Sequence, residues 1–122
     1  MRMNRFLGPG AAALSALMLF IAAVVRPASA EADQKTVRTW KAKCASCHGV
    51  DGKAKTETGQ KLEIPDFTAA AFQKKATDAD LKKAITDGVK REGKSEGMDG
   101  YADKLAADQI EALVKYVREL GK

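Results

Sequence analysis

The chain has 122 residues, of which 30% are charged and 6% aromatic, and its formal net charge at pH 7 is +5. Arg2, Arg5 and Arg26 supply three of these positive charges; without them, 18 basic residues face 16 acidic ones. Because aromatic residues are few and no basic stripe interleaves with them, the composition does not indicate a nucleic-acid-binding protein.

The first 30 residues have the three-part layout of a secretory signal. MRMNR carries two arginines, an uncharged run extends from Phe6 to Val25, and Ala28-Ser29-Ala30 offers the small residues that a signal peptidase reads. An uncleaved transmembrane anchor is the alternative, because about 20 apolar residues can span a bilayer. The small tripeptide and Gly8-Pro9-Gly10 favour cleavage. We therefore expect a signal peptide over 1–30 and one periplasmic domain over 31–122, without stable membrane insertion after cleavage.

The remainder of the chain predicts an all-α domain, because every element of any length has helical periodicity. Val37 and Trp40 recur at helical spacing in a first helix that runs from about Ala32 into Cys44. Residues 49–60 contain three glycines and almost no apolar side chain, which predicts a loop. Residues 62–67 are apolar, but Pro65 argues against a helix there.

Two further helices follow in the second half of the chain. Thr77 with Asp80 three residues later is close to a capping box, and Gly88 ends the helix that begins there. Residues 89–101 form a second glycine-rich loop. A last helix is predicted from about Ala106 to Leu120, with one apolar stripe formed by Ile110, Leu113, Val114, Val117 and Leu120. Such long loops in a small domain need something to pack on, which suggests a cofactor.

Both cysteines and the only histidine lie within five residues, CASCH, from 44 to 48. A structural zinc site normally needs four ligands, and a thioredoxin-type redox pair would lie near a βαβ pattern. A plain disulfide remains as the alternative, although it would close a very small loop and restrict the unfolded chain little. The pattern C-x-x-C-H marks covalent haem c attachment. The sequence therefore predicts one haem c, with thioether bonds from Cys44 and Cys47 and with His48 on the iron.

Four stretches, TWKAKCASCHGVDGK, PDFT, GMDGYADKL and IEALVKYVREL, together resemble a small class I cytochrome c of the soluble, single-haem bacterial kind. The resemblance spans nearly all of 31–122. It implies an aromatic contact where the first and last helices cross, with Trp40 and Tyr116 in the matching positions. It also implies a methionine as second axial ligand of the iron, and Met98 is the only methionine after residue 30. Pro65 resembles the family's proline whose carbonyl accepts the ring N–H of the proximal histidine.

Three positions depart from the family's pattern. Thr36 stands where a glycine usually lets the two helices cross closely, and Asp99 stands where a proline usually follows the methionine. Ala106 replaces a Ser or Thr N-cap, a change that we expect to cost about 1 kcal/mol. Asp99 leaves the conformation of the Met98 loop less fixed than in the family.

The resemblance implies a one-electron carrier, not an enzyme, whose iron cycles between Fe(III) and Fe(II). We expect redox partner proteins to dock briefly with it. A basic rim could steer them, although ordinary solvated surface explains these residues equally well: Lys43, Lys90, Arg91, Lys94 and Lys104. Two alternatives stay open, a haem sensor or enzyme with a displaceable sixth ligand and a cytochrome subunit of a larger oxidoreductase.

Overall fold

A computed structural model of the protein describes residues 33–93 and 96–122, so the predicted signal over 1–30 lies outside the described residues. These two ranges contain six helices and one two-stranded antiparallel ladder. In chain order the elements are α1 (Gln34–Lys43), α2 (Ala45–His48), α3 (Glu57–Lys61), α4 (Ala70–Lys75), α5 (Asp78–Asp87), β1 (Gly88–Val89), β2 (Met98–Asp99) and α6 (Ala107–Glu119). None of the helices in 33–93 and 96–122 is long and apolar enough to cross a membrane.

The three helices predicted from periodicity and capping residues are confirmed as α1, α5 and α6. Asp33 caps α1 by accepting a hydrogen bond of 2.7 Å from the Thr36 N–H. Thr77 and Asp80 form the predicted capping box of α5, and Gly88 ends that helix at a φ of 81°. Ala106 precedes α6 and provides no side-chain cap, as expected for an alanine at this position.

The prediction of an unbroken loop over 49–60 is wrong at its end, where α3 begins. Thr56 caps this helix by accepting a hydrogen bond of 2.8 Å from Gly59, and its hydroxyl donates to the Cys47 carbonyl oxygen over 2.7 Å. This second bond joins α3 to a residue nine positions earlier, so helix formation depends on a contact that local composition does not show. The short α4 and the ladder of β1 and β2 were not predicted either.

The buried core lies where α1, α5 and α6 meet. It contains Trp40 and Leu81 together with the apolar stripe of α6, namely Ile110, Leu113, Val114 and Val117. The ring centroids of Trp40 and Tyr116 are 5.3 Å apart in an edge-to-face arrangement, which confirms the predicted aromatic contact between α1 and α6. Trp40 also donates its indole N–H to the Gly49 carbonyl oxygen over 3.1 Å, so the same side chain fixes the chain just after α2.

Arg118 joins α6 to α4 and to the start of α5. Its Nε donates to Asp78 Oδ1 over 2.7 Å, and its Nη2 donates to the Ala76 carbonyl oxygen over 2.6 Å. Its Nη1 donates to the carbonyl and side-chain oxygens of Gln73, over 2.9 and 3.1 Å. A planar guanidinium with several donors in fixed directions suits this arrangement, and a lysine ammonium could not reproduce it.

We predict that Arg118→Ala lowers the free energy of unfolding of the haem-loaded protein by about 2–3 kcal/mol, because partly buried backbone carbonyls lose their donors. Denaturant unfolding followed by circular dichroism measures this loss. The control is Arg38→Ala, which removes an exposed arginine from α1 and should change the free energy by less than about 0.5 kcal/mol. Equal losses in the two variants would contradict the role of Arg118.

Candidate haem site

A cavity of about 470 Å³ lies between the C-x-x-C-H motif and the ladder of β1 and β2. Its volume falls in the range of ~300–1,000 Å³ that is typical of small-molecule and cofactor sites. All four site residues predicted from the sequence line it: Cys44, Cys47, His48 and Met98. A smaller apolar cavity of about 60 Å³ shares three of these residues and reaches the core at Trp40 and Leu113. The fold thus brings Met98 to the motif across fifty residues of sequence.

The cysteines reach the cavity because the chain bends at Cys44. This residue has φ −115° and ψ −38°, between the end of α1 and the single turn of α2. Both cysteines are free thiols and half-buried. Burial raises the pKa of the Cys44 thiol to about 11, so this sulfur is protonated at neutral pH. The α2 turn places His48 on the same cavity, next to the two thiols.

The His48 ring is held by aromatic neighbours. The Phe67 ring centroid lies 4.8 Å from that of His48, and the Trp40 centroid lies 5.8 Å from it. Burial lowers the pKa of His48, so its imidazole is neutral at pH 7, the form that binds a metal. Within the described residues, the buried Nδ1 of His48 has no hydrogen-bond partner.

The predicted hydrogen bond from the His48 ring to the Pro65 carbonyl is therefore absent among the described residues. Pro65 lines the cavity but is itself exposed, and Phe67 is the residue of this segment that packs on the imidazole. A buried polar atom without a partner is unfavourable by about 1–3 kcal/mol. An unpaired imidazole, two free thiols and a thioether around one apolar cavity form a donor set that fits covalent haem c and its iron.

Met98 is half-buried on β2 and pairs with Val89 of β1. The glycines beside it allow this pairing. A Cβ atom at Gly97 would collide with the Val89 carbonyl oxygen, and one at Gly100 would lie 2.5 Å from the Thr86 carbonyl oxygen. These glycines therefore let residues 96–102, the Met98 loop, approach both β1 and the end of α5 closely. Gly93, in contrast, has open space around it, so its missing side chain serves no close approach.

The basic residues proposed as a rim differ in their surroundings. Lys43 is exposed and lines the cavity, Lys90 is exposed, and Lys94 lies outside the described residues. Lys104 places its Nζ 5.4 Å from the centre of the Tyr101 ring. Arg91, also proposed for this rim, lines the cavity. It donates from Nη2 to the Glu63 carbonyl oxygen over 3.0 Å, and no sequence signal indicated this pairing.

The helical fold and the donor set define a c-type cytochrome, and comparisons with known proteins agree. The family model described as cytochrome c oxidase, cbb3-type, subunit III matches residues 31–117. The chain therefore belongs to this cytochrome c family, which confirms the predicted all-α fold and implies covalent haem c, its iron and haem-based electron transfer.

Two solved structures are similar to this chain. The KustC0563 c-type cytochrome has 31% sequence identity and a TM-score of 0.63, over 71% of this chain and 98% of that one. A tyrosine-to-phenylalanine mutant of the same cytochrome has 32% identity and a TM-score of 0.59, over 70% of this chain and 96% of the mutant chain. No match was found among curated proteins.

We predict that Cys44→Ala combined with Cys47→Ala, expressed in the periplasm, yields protein that lacks covalent haem and does not fold. The cavity between the motif and the ladder would then be left without the group that fills it. Haem staining after denaturing electrophoresis and far-UV circular dichroism measure the two effects.

The matched control is Ser46→Ala, because Ser46 is exposed and lies between the two cysteines. This variant should retain haem and fold. A well-folded, haem-free double mutant would contradict the prediction and favour a disulfide as the role of the cysteines.

Proposed function

We propose that the protein is a periplasmic one-electron carrier that holds one haem c through Cys44 and Cys47, with His48 and Met98 as the two axial ligands of the iron. The observation that carries this proposal is that the imidazole and the thioether line the same cavity. When bound, haem c supplies a reversible Fe(III)/Fe(II) couple. The periplasmic location is supported by the predicted signal over 1–30.

The protein groups around the cavity suit electron transfer better than substrate chemistry. A soft, neutral thioether favours ferrous iron, and the combination of methionine with histidine raises the reduction potential in cytochromes c. Apolar side chains from several elements surround these ligands: Leu62, Ile64, Phe67, Phe72, Leu81 and Ala84. Such walls limit solvent access and tune the potential in the same direction. If His48 and Met98 both held the iron, they would leave no open position on it for a substrate.

A second candidate function is that of a cytochrome subunit in a larger oxidoreductase. The description of the matching family model, an oxidase subunit, favours it. The same four residues would hold the haem in that case, and electron transfer would remain the activity. The two candidates differ only in whether the partner is met transiently or bound permanently.

Met98→Ala tests the axial ligation directly. We expect the reduction potential to fall by on the order of 0.1 V, since axial ligands set potentials over a range of about 0.8 V. The sulfur-to-ferric-iron charge-transfer band should disappear, and the ferrous protein should bind carbon monoxide. The fold should survive, because His48 and two thioether bonds still hold the haem. Redox titration and absorption spectra with and without carbon monoxide measure these changes.

The control for this variant is Lys90→Ala, which changes an exposed residue next to β1 and should keep the wild-type spectrum. If the wild-type protein already binds carbon monoxide and Met98→Ala keeps its potential, Met98 is not a ligand. The sensor or enzyme would then replace the carrier as the best description.

We also propose that redox partner proteins dock transiently at the mouth of the cavity. Val89 is 43% exposed and lines that mouth, and the exposed Lys43 lies on the same lining. A small apolar contact with charges beside it suits brief electron-transfer encounters. Asp80 and Asp99 also line the cavity, so the electrostatic field there is mixed and its effect on association is modest.

If Lys43 steers an acidic partner, Lys43→Glu should lower the association rate several-fold at low salt and leave the reduction potential nearly unchanged. The difference should shrink as ionic strength rises, because exposed charges are screened beyond about 10 Å at 0.1 M salt. Stopped-flow electron transfer measures the rate. Lys115→Glu makes the same charge change on the exposed face of α6 and is the control. Equal slowing in both variants would show that only net charge matters.

A further inference from the structure

The loop that carries Met98 is fastened on one side to the end of α5. The Tyr101 N–H donates to the Ile85 carbonyl oxygen over 2.9 Å, and the Ala102 N–H donates to the Thr86 carbonyl oxygen over 3.2 Å. Val89 of β1 pairs with Met98 itself. All three contacts connect the loop to one short segment, residues 85–89, which comprises the end of α5 and β1. A ladder of two residues per strand is weak by itself, so this loop belongs to the parts of a fold that open most easily.

Two side chains also fasten the loop to other parts of the fold. Glu96 forms an ion pair of 3.0 Å with Lys61 of α3, but both side chains are exposed, so this pair contributes little. The second side chain is that of Tyr101. The Tyr101 hydroxyl donates a hydrogen bond of 3.1 Å to the Lys43 carbonyl oxygen, at the end of α1. The Tyr101 ring lines both the large and the small cavity, together with Cys44 and Met98. The phenol therefore spans from the Met98 loop to the residue next to the first cysteine.

The bend at Cys44 explains why the Lys43 carbonyl is free to accept this bond. In a continuous helix, the Cys47 N–H would donate to Lys43; here it donates to the Cys44 carbonyl oxygen over 3.2 Å. Carbonyls at the end of a helix lack intrahelical partners and need other donors. The same bend that brings the cysteines to the cavity thus creates the acceptor that Tyr101 uses.

We propose that Tyr101 is a positioning residue for Met98: its hydroxyl latches the Met98 loop to the end of α1 and keeps the thioether over the cavity. The inference rests on the proposed role of Met98 as an axial ligand. Loss of the latch increases the fraction of time that Met98 is detached and leaves the bound state otherwise the same. A hydroxyl without contact to the iron would then control access to it.

The test uses the haem-loaded protein and the variant Tyr101→Phe, which keeps the ring and removes only the hydroxyl. Carbon monoxide binding to the ferrous protein reports detachment of Met98, because the rate of binding scales with the open fraction. We expect the rate to rise about fivefold, the factor that corresponds to a net hydrogen bond of about 1 kcal/mol. Met98→Ala supplies the rate of a fully open site.

A second readout separates the loop from the whole fold. In Tyr101→Phe, the sulfur-to-ferric-iron charge-transfer band should disappear at a lower denaturant concentration than in the wild type, while the helix signal unfolds at nearly the same concentration. The matched control is Tyr116→Phe, which removes the same atom from the tyrosine that packs on Trp40. It should leave the carbon monoxide rate and the band unchanged.

The outcomes distinguish this inference from the proposed function. If the wild type binds carbon monoxide slowly and Tyr101→Phe binds it at the same slow rate, the latch is overturned and Met98 remains the ligand. A wild-type rate equal to that of Met98→Ala overturns the ligation and the latch together. The proposal is also overturned if Tyr116→Phe has an equal effect. It is overturned as well if Tyr101→Phe loses the band and the helix signal together, or does not fold. In each of these cases the Tyr101 hydroxyl would be a general stabilising group.

Discussion

The fold depends on a large space at its centre being filled. The cavity of about 470 Å³ is lined by the end of α1, by α2, by residues 62–67, by α5 and by the Met98 loop. Apolar side chains form most of this lining, and each Å² of apolar surface that a bound group removes from water contributes roughly 25 cal/mol. A small domain is stable by typically about 5–15 kcal/mol in total, so burial of this lining matters to the fold. A covalently attached haem would cover these side chains and complete the hydrophobic core.

The bend at Cys44 is the local feature that organises this core. It turns the two thiols and His48 toward the cavity within one helical turn. It also releases the Lys43 carbonyl, which receives the Tyr101 hydroxyl from the other side of the site. A straight helix through this stretch would satisfy the carbonyl internally and would leave the Met98 loop held only by the end of α5, by β1 and by the exposed ion pair between Glu96 and Lys61. The placement of the two cysteines and the fastening of the Met98 loop thus share one structural cause.

Much of this arrangement could be predicted from the sequence, because the relevant signals are chemical or local. C-x-x-C-H specifies covalent attachment in five residues, and Met98 stands out as the single thioether in 31–122. Thr77, Asp80 and Gly88 mark the ends of α5 through bonds to neighbours in sequence. In each case the information lies within a few residues of the feature that it predicts.

The features that were missed depend on contacts between distant residues. Helix α3 is anchored by the bond from Thr56 to the Cys47 carbonyl oxygen, and the Arg91 guanidinium donates to the Glu63 carbonyl oxygen. Glu63 has a φ of 50°, a conformation that is uncommon for a residue other than glycine, and nothing in its sequence neighbourhood indicates it. The expected hydrogen bond from His48 to the Pro65 carbonyl is also absent, because the buried Nδ1 has no partner among the described residues.

Asp99 at the position of the usual proline raises the question of how the Met98 loop keeps its shape. A proline would stiffen this position by fixing φ and by restricting the residue before it. Here the close approach of Gly97 to β1 and of Gly100 to the end of α5 restricts the backbone, and the Tyr101 hydroxyl fastens the loop to the end of α1. These restraints are contacts between residues distant in sequence, so each can be weakened while Met98 itself is unchanged. If Met98 holds the iron as proposed, the contacts of the loop with α1, α5 and β1 set how long the thioether stays in place.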